Sequence, residues 1–332
     1  MIPPITLRSG LRFELDGFAY LRESLKLTVR ALFYRRQTGR WLQLLNSHPL
    51  FGQMLPSCPR LVNKIYRSYF STRLRCQDRL DVLGTHYGMV IRHGLAPLVE
   101  RAAHRPVPLC RLQARSPDSD YRIELRAGGV LCREGDLVLQ LMHGADLLVS
   151  IAFCFLRHDG AMAIGIGCLQ GAPGGGGQDA IRHATRDLHG LRPKNLLVRM
   201  VRQFGHDLGC GQLVLVGNRN RVVTTAMRQG KVYADYDGLW DELRAVRGRD
   251  GNFALPCEDL PALRMDEIAS KKRSEMRKRH QMLVLAIDAV RSQVVRSQRS
   301  CTPLRLVNAP AGLADEMIPQ RPVALVAKLK PA

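Results

Sequence analysis

The stretch MAIGIGCLQGAPGGGGQDAIRHATRDLHGLRPKNLLVRMVRQFGHDLGCGQLVLVGNRNRV, residues 162–222, decides how the chain is read. Residues 163–169 are apolar with two glycines and short enough for a buried strand. Residues 171–177 hold five glycines and a proline, a composition that excludes regular structure. Residues 178–188 then set Ile181, Ala184, Thr185 and Leu188 at helical spacing. Pro193 suits the first turn of a following helix, where its missing N–H costs nothing. Leu196, Leu197, Met200, Val201, Phe204 and Leu208 form the apolar face of that helix. Gly209 and Gly211 stop it, and residues 212–216 make a second buried strand. Strand, glycine loop, two helices and strand favour a parallel strand pair with a right-handed crossover. The same order aims backbone N–H groups and a helix dipole at one point, which suits an anion such as a phosphate. The plainer alternative is a surface loop, since no lysine or serine stands at Walker spacing in the glycine run.

Working outward, residues 121–125 alternate and Gly128-Gly129 turn the chain. Apolar runs at 137–142, 147–156 and 161–169 are separated by short polar turns at 143–146 and 157–160, each with a glycine. This is an antiparallel meander leading into the central unit. The fold class expected is α/β (α+β), with a mixed, largely antiparallel sheet. Residues 1–105 read as helical, with helices over 20–34, 41–45, 61–69 and 75–91. Within them Tyr66, Tyr69 and Phe70 interleave with Lys64, Arg67, Arg73 and Arg75. Aromatics among cations can stack bases and grip phosphates; an amphipathic helix with its rings in the core explains the spacing equally. Downstream, residues 235–243 (DYDGLWDEL) read as a short acidic helix with Tyr236 and Trp240 on its apolar side. Residues 253–256 read as an edge strand and residues 266–287 as a long helix. The division expected is a helical region over 1–105, a sheet domain over 106–290, and a disordered tail over 291–332, where periodicity fades and proline enters.

The chain of 332 residues carries 50 Lys and Arg against 29 Asp and Glu, a formal net charge of +21. That charge attracts polyanions: nucleic acid, anionic head groups or phosphate-bearing ligands. Hydrophobic residues make up 45%, enough for a full core, and no run approaches the roughly 18 apolar residues of a membrane span. The first 17 residues lack an apolar signal core, so a cytoplasmic protein is expected. Nine scattered cysteines without a C-x-x-C pair point to reduced thiols, with neither a disulfide framework nor a metal site. No helix-turn-helix, zinc-finger or RNP pattern supports specific nucleic-acid binding. Lys271, Lys272, Arg273 and Arg277 lie in a run, SKKRSEMRKRH, that fits an anion or lipid-surface contact, or else a solvated helix face.

The segments IGCLQG, LHGLRPKNLL, YDGLWDEL and EIASKKRSEMRKRHQML, in that order, resemble the VirK/YbjX family of Gram-negative bacterial proteins. The likeness spans residues 20 to 283 and implies a link to virulence and surface stress. Residue by residue it singles out Gly167, Gln170, Gly171, His189, Arg192, Lys194, Tyr236 and Trp240, with Lys271 to Arg273 further on. The glycines at 174–177 and the long tail depart from the family pattern. The meander followed by strand, loop, helix and strand is also similar to the core of the GNAT acyltransferases. There two parallel strands part, acyl-coenzyme A lies between them, and a Q/R-x-x-G-x-G/A loop holds its pyrophosphate. Gln170, Gly174 and Gly176 approximate that loop with one residue too many.

The resemblance implies an acyl-coenzyme A transferase. Gln170, Gly171, Gly174, Gly176, Arg192, Lys194 and Asn218 would hold the cofactor, His189 would act as base and Tyr236 as acid. The alternative for His189 is a histidine capping backbone carbonyls at a helix junction. The alternative for the whole chain is a non-catalytic basic adaptor on an anionic membrane surface or another polyanion.

Overall fold

The computed structural model describes residues 3–11, 17–171, 177–223 and 234–300. Five helices come first: α1 (Gly17–Phe33), α2 (Arg35–Leu45), α3 (Pro49–Met54), α4 (Cys76–Arg92) and α5 (Ala96–His104). The meander follows as β1 (Val107–Arg111), β2 (Tyr121–Ala127), β3 (Leu137–His143), β4 (Asp146–His158) and β5 (Ala161–Gly171). Then come α6 (Gly177–Asp187), α7 (Pro193–Asp207), β6 (Gln212–Leu215), α8 (Tyr236–Glu242), β7 (Val246–Arg247), β8 (Phe253–Pro256) and α9 (Ser270–Ser300).

The strands make one sheet in the order β1-β2-β3-β4-β5-β6-β8-β7. Every neighbouring pair is antiparallel except β5 and β6, which are parallel and joined through α6 and α7. The mixed, largely antiparallel sheet is thus present, with α6 and α7 between the parallel strands β5 and β6. The turns are local chemistry: Gly144 takes φ +56°, and Asp159-Gly160 take +50° and +78°, so each hairpin closes on residues in the left-handed region.

Alternation sends Leu137, Leu139 and Leu141 of β3 to one face, and Ile151, Phe153 and Phe155 of β4 join them. That face and the helices share one core cluster, which runs from Trp41 and Tyr87 through Leu197 and Val201 to Val294. Each fully buried Leu or Phe there contributes about 1.5–3 kcal/mol. Helices α4 and α5 therefore pack on the sheet, α2 packs on α4 and α3 on α5, and all four belong to the same core.

Several expectations change. Residues 61–69 form no helix; two short 3₁₀ turns, Pro59–Leu61 and Lys64–Tyr66, replace it, and Phe70 sits at φ +57°. The reason is tertiary: the Tyr69 hydroxyl is drawn to the buried Asp136 carboxylate. Residues 253–256 are not the edge strand, because the two-residue β7 pairs outside them. Helix α9 runs to Ser300, past the boundary expected at 290. Its Ser297 hydroxyl donates to the Gly94 carbonyl at 2.9 Å and accepts from the Leu98 N–H at 3.2 Å. The remainder of the expected tail, 301–332, lies outside the described residues.

Candidate functional site: the fork between β5 and β6

Strands β5 and β6 run in register from Ala163↔Gln212 to Ile166↔Leu215. A last hydrogen bond joins the Val216 N–H to the Ile166 carbonyl at 3.0 Å. Strand β6 then ends, while β5 continues to Gly171 with its other edge still paired to β4. The two parallel strands part at this point. Opposite the consecutive β4 residues Ala152 and Phe153, β5 places Cys168 and Ile166, so Gly167 is an extra, bulged residue. The bulge changes which main-chain groups face the fork. Leu169 turns its N–H outward and donates to the Tyr236 hydroxyl at 2.7 Å. Only glycine fits at 167, since a Cβ there would lie 1.9 Å from the Glu134 carbonyl oxygen.

Helix α8 sits across the opening. Asp235 caps it by accepting from the Gly238 N–H. The Asn218 side chain accepts from the Tyr236 N–H at 2.9 Å and donates to Asp235 at 2.7 Å, and its own N–H donates to Asp237 at 2.7 Å. The two large residues of α8 each meet one prong. Tyr236 takes the Leu169 N–H of β5, and Trp240 donates its indole N–H to the Val216 carbonyl beyond β6 at 3.0 Å. The Arg221 guanidinium lies over the Tyr236 ring, 3.7 Å from its centre, and donates to the Ala234 carbonyl. Cys168 Sγ accepts from the Tyr236 hydroxyl at 3.3 Å.

Burial sets the protonation here. It pushes the Tyr236 hydroxyl up, and it pushes the Cys168 thiol up to about 11, so both keep their protons at neutral pH. Burial also raises the Glu134 carboxyl, against the pull of the Arg133 and Arg221 charges. The fork thus gathers a protonated hydroxyl, a directed main-chain donor, a buried carboxyl and a guanidinium.

Of the residues singled out in the sequence, Gln170 and Gly171 end β5 beside the fork, and Asn218 and Tyr236 are brought together there. Gly174 and Gly176 lie outside the described residues. Arg192 stands just before α7 without capping it and reaches Glu242 of α8 at 3.1 Å, while Lys194 is half-buried in the first turn of α7. His189 turns the chain between α6 and α7 at φ +53°. Its Nε2 lies 3.2 Å from the Gln113 carbonyl, and its own carbonyl accepts from Arg279 at 2.8 Å. A carbonyl only accepts, so Nε2 carries the proton and Nδ1 is the basic nitrogen. Burial lowers the His189 pKa, partly offset by the Gln113 bond. Lys271, Lys272, Arg273 and Arg277 are exposed along the first turns of α9, where Arg273 donates to the Ile268 carbonyl.

A second polar centre gathers Lys64 and Tyr69, which the sequence set among interleaved cations and aromatics, around a carboxylate that had no sequence signal. Asp136, fully buried just before β3, accepts from Lys64 Nζ at 2.6 Å, from the Tyr87 hydroxyl at 2.7 Å and from the Tyr69 hydroxyl. Burial works to raise its pKa, but Lys64, His86 and the hydroxyls together hold it below the usual carboxylate value. Beside it opens a small cleft, with room for about 20 Å³, lined by Arg60, Lys64, Arg67, Tyr69, Cys132 and Arg133, among others. Glu134, Arg221 and Asp136 are dispersed in the sequence. Only the spacing of Gly165 and Gly167 hints that another segment presses on β5.

Among the described residues, no group of three or more His, Cys, Asp or Glu could hold a metal ion, and no helix is long and apolar enough to cross a membrane. In comparisons with known proteins, the cAMP-binding acyltransferase from Mycobacterium smegmatis aligns at 15% identity and a TM-score of 0.27, over 59% of this chain and 61% of that one. A TM-score that low carries neither fold nor function across. Uncharacterized protein YbjX of Escherichia coli K12 is 27% identical over 274 residues, 81% of each chain. A Haemophilus influenzae protein is 22% identical over 265 residues, covering 79% of this chain and 87% of its own. The family described as Protein of unknown function (DUF535) matches residues 16–293, and with the YbjX alignment this makes the chain a member of the YbjX (DUF535) family of bacterial proteins.

Proposed function

We propose that this chain is a GNAT-like acyltransferase, or a degenerate relative of one, that takes an acyl-coenzyme A thioester in the fork between β5 and β6. The observation that supports the reading is the parting of the strands after Ile166, with the Leu169 N–H turned into the gap by the Gly167 bulge. That amide is the donor a thioester carbonyl oxygen would meet, replacing the Tyr236 hydroxyl as its acceptor. Backbone amides at Gln170 and Gly171, the glycines 174 and 176, and the cations Arg192 and Lys194 would hold the phosphates, with Asn218 at the other lip.

In the transfer, an acceptor nitrogen or oxygen attacks the carbonyl carbon, the C–S bond breaks and the leaving thiolate takes a proton. Tyr236 is the hydroxyl placed to supply that proton, and the tyrosinate so formed is reprotonated with the proton that the base took from the acceptor. The proton lost by the acceptor goes to a base, either His189 Nδ1 or Glu134, whose carboxyl sits within the electrostatic reach of Cys168 and Arg221. The site is taken to work in the cytoplasm.

Thermal denaturation with acetyl- and long-chain acyl-coenzyme A tests binding, because a ligand of the native state must raise stability, by about 2.7 kcal/mol at a hundredfold excess over Kd. No shift at millimolar ligand overturns the reading. Thiol release tests the chemistry: Tyr236→Phe is expected to keep the shift and lose roughly 10²–10⁴ of the rate. Glu134→Gln and His189→Asn then tell the two bases apart. The second reading, a non-catalytic adaptor held to an anionic membrane surface or polymer, is favoured by the exposed cations of α9.

A further inference from the structure

Helix α1 turns its larger apolar face away from the protein. At about 100° per residue, Leu21, Leu32, Leu25, Phe18, Val29 and Phe33 fall within an arc of about 120°. All six are exposed, Phe18 and Phe33 by 80% and 82%. The face that packs inward is made of Ser24, Leu27 and Ala31. A surface helix ordinarily does the reverse, burying its large side chains and showing its small and polar ones.

The surroundings of this stripe are cationic. Arg22, Lys26 and Arg30 follow it along one flank, and Arg35, Arg36 and Arg40 of α2 are exposed at its C-terminal end. Between residues 17 and 77 there are eleven Lys and Arg and one acid, Glu23, itself held by Lys26 at 2.9 Å. At 17 residues and about 25 Å, α1 is too short and too charged to span a bilayer.

We infer that α1 is a membrane-surface helix. It lies in the head-group layer of a bilayer containing anionic lipid, with its six large apolar side chains among the acyl chains and the arginines and Lys26 on lipid phosphates. Charge complementarity selects this occupant. A second copy packed on the same patch would bring cationic fringe against cationic fringe. The chain's own segment 301–332 carries four Lys and Arg against two acids, so it too is repelled. The inference is independent of catalysis at the fork and of the cations on α9.

Co-sedimentation of the full chain with vesicles of phosphatidylcholine, alone or mixed with phosphatidylglycerol, tests it. The wild type is expected to pellet with the mixed vesicles at least about tenfold more tightly than with neutral ones, less so as salt rises. The double variant Leu21→Glu/Leu25→Glu changes only exposed side chains, so an unchanged unfolding midpoint is expected together with loss of pelleting. Arg22→Glu/Lys26→Glu should weaken binding and flatten its salt dependence. Failure of the wild type to pellet, or equal pelleting of the Leu21→Glu/Leu25→Glu variant, overturns the proposal. So does loss of binding on Lys271→Glu/Lys272→Glu alone, which assigns the membrane to α9. Light scattering that shows a dimer split by Leu21→Glu/Leu25→Glu assigns the stripe to a second copy.

Discussion

His86 is fully buried between α4 and β4. Its Nδ1 accepts the Phe155 N–H at 3.2 Å, so Nε2 bears the proton, buried without a hydrogen-bond partner. Burial, only partly opposed by the Asp136 charge, lowers its pKa to about 4. The unfolded chain takes up a proton near pH 6.5, whereas the fold refuses it until about 4. Stability from this group is therefore complete above 6.5 and lost as pH falls towards 4, by about 3 kcal/mol in all. Glu134 opposes it, because a raised carboxyl gains stability on acidification. The clean readout is the difference between wild type and His86→Phe in urea unfolding. The two curves should hold a constant separation above pH 7, and the wild type should fall relative to the variant below 6. A separation unchanged from pH 8 to pH 4 would show that the imidazole protonates freely in the fold.

At the scale of the element, β5 is shaped by what crosses it. The segment ending at Asp136 lies on the strand, with the Glu134 carbonyl against Gly167, and that contact coincides with the bulge that aims Leu169 into the fork. Gly167→Ala must push the crossing segment off the strand and is expected to cost about 3 kcal/mol, the upper end for overpacking. Gly171→Ala is the control, since its Cβ would meet nothing closer than 3.8 Å. Equal stability of the two variants in urea would mean that the crossing is loose. The strand itself was legible, because seven apolar residues between turn signals read as nothing else. The bulge was not, because it depends on a carbonyl thirty-odd residues away. In the same way YDGLWDEL could be read as an amphipathic helix, yet its two aromatics hydrogen-bond one to each prong of the fork, a geometry invisible to helical spacing.

Across the whole molecule, Asp136 ties Lys64, Tyr69 and Tyr87 of the helical layer to the start of β3, inside a core cluster that spans both layers. Removing its charge leaves the Lys64 ammonium buried and unpaired. Asp136→Asn should therefore cost about 3–5 kcal/mol, and far-UV dichroism and Trp41 and Trp240 fluorescence should report the same single transition. Two transitions, with the helical layer melting first, would show the layers to be separable domains.

The antiparallel meander from residue 121 to 171, the crossover through α6 and α7 and the excess of positive charge follow from the sequence, whereas α3, α5, β1 and β7 were not read there. Each feature that was read rests on local periodicity, on turn chemistry or on composition, which need no distant partner. Only the tertiary structure decided that residues 61–69 uncoil to meet Asp136, that α9 runs on to dock Ser297, and that α1 shows its large apolar face to the outside. The same is true of the gathering of Glu134, Arg221 and Tyr236 at one fork. The reason is physical: a buried charge, a crossing carbonyl or an uncovered face is defined by what lies against it in space, and those neighbours are set by packing among segments far apart in the chain.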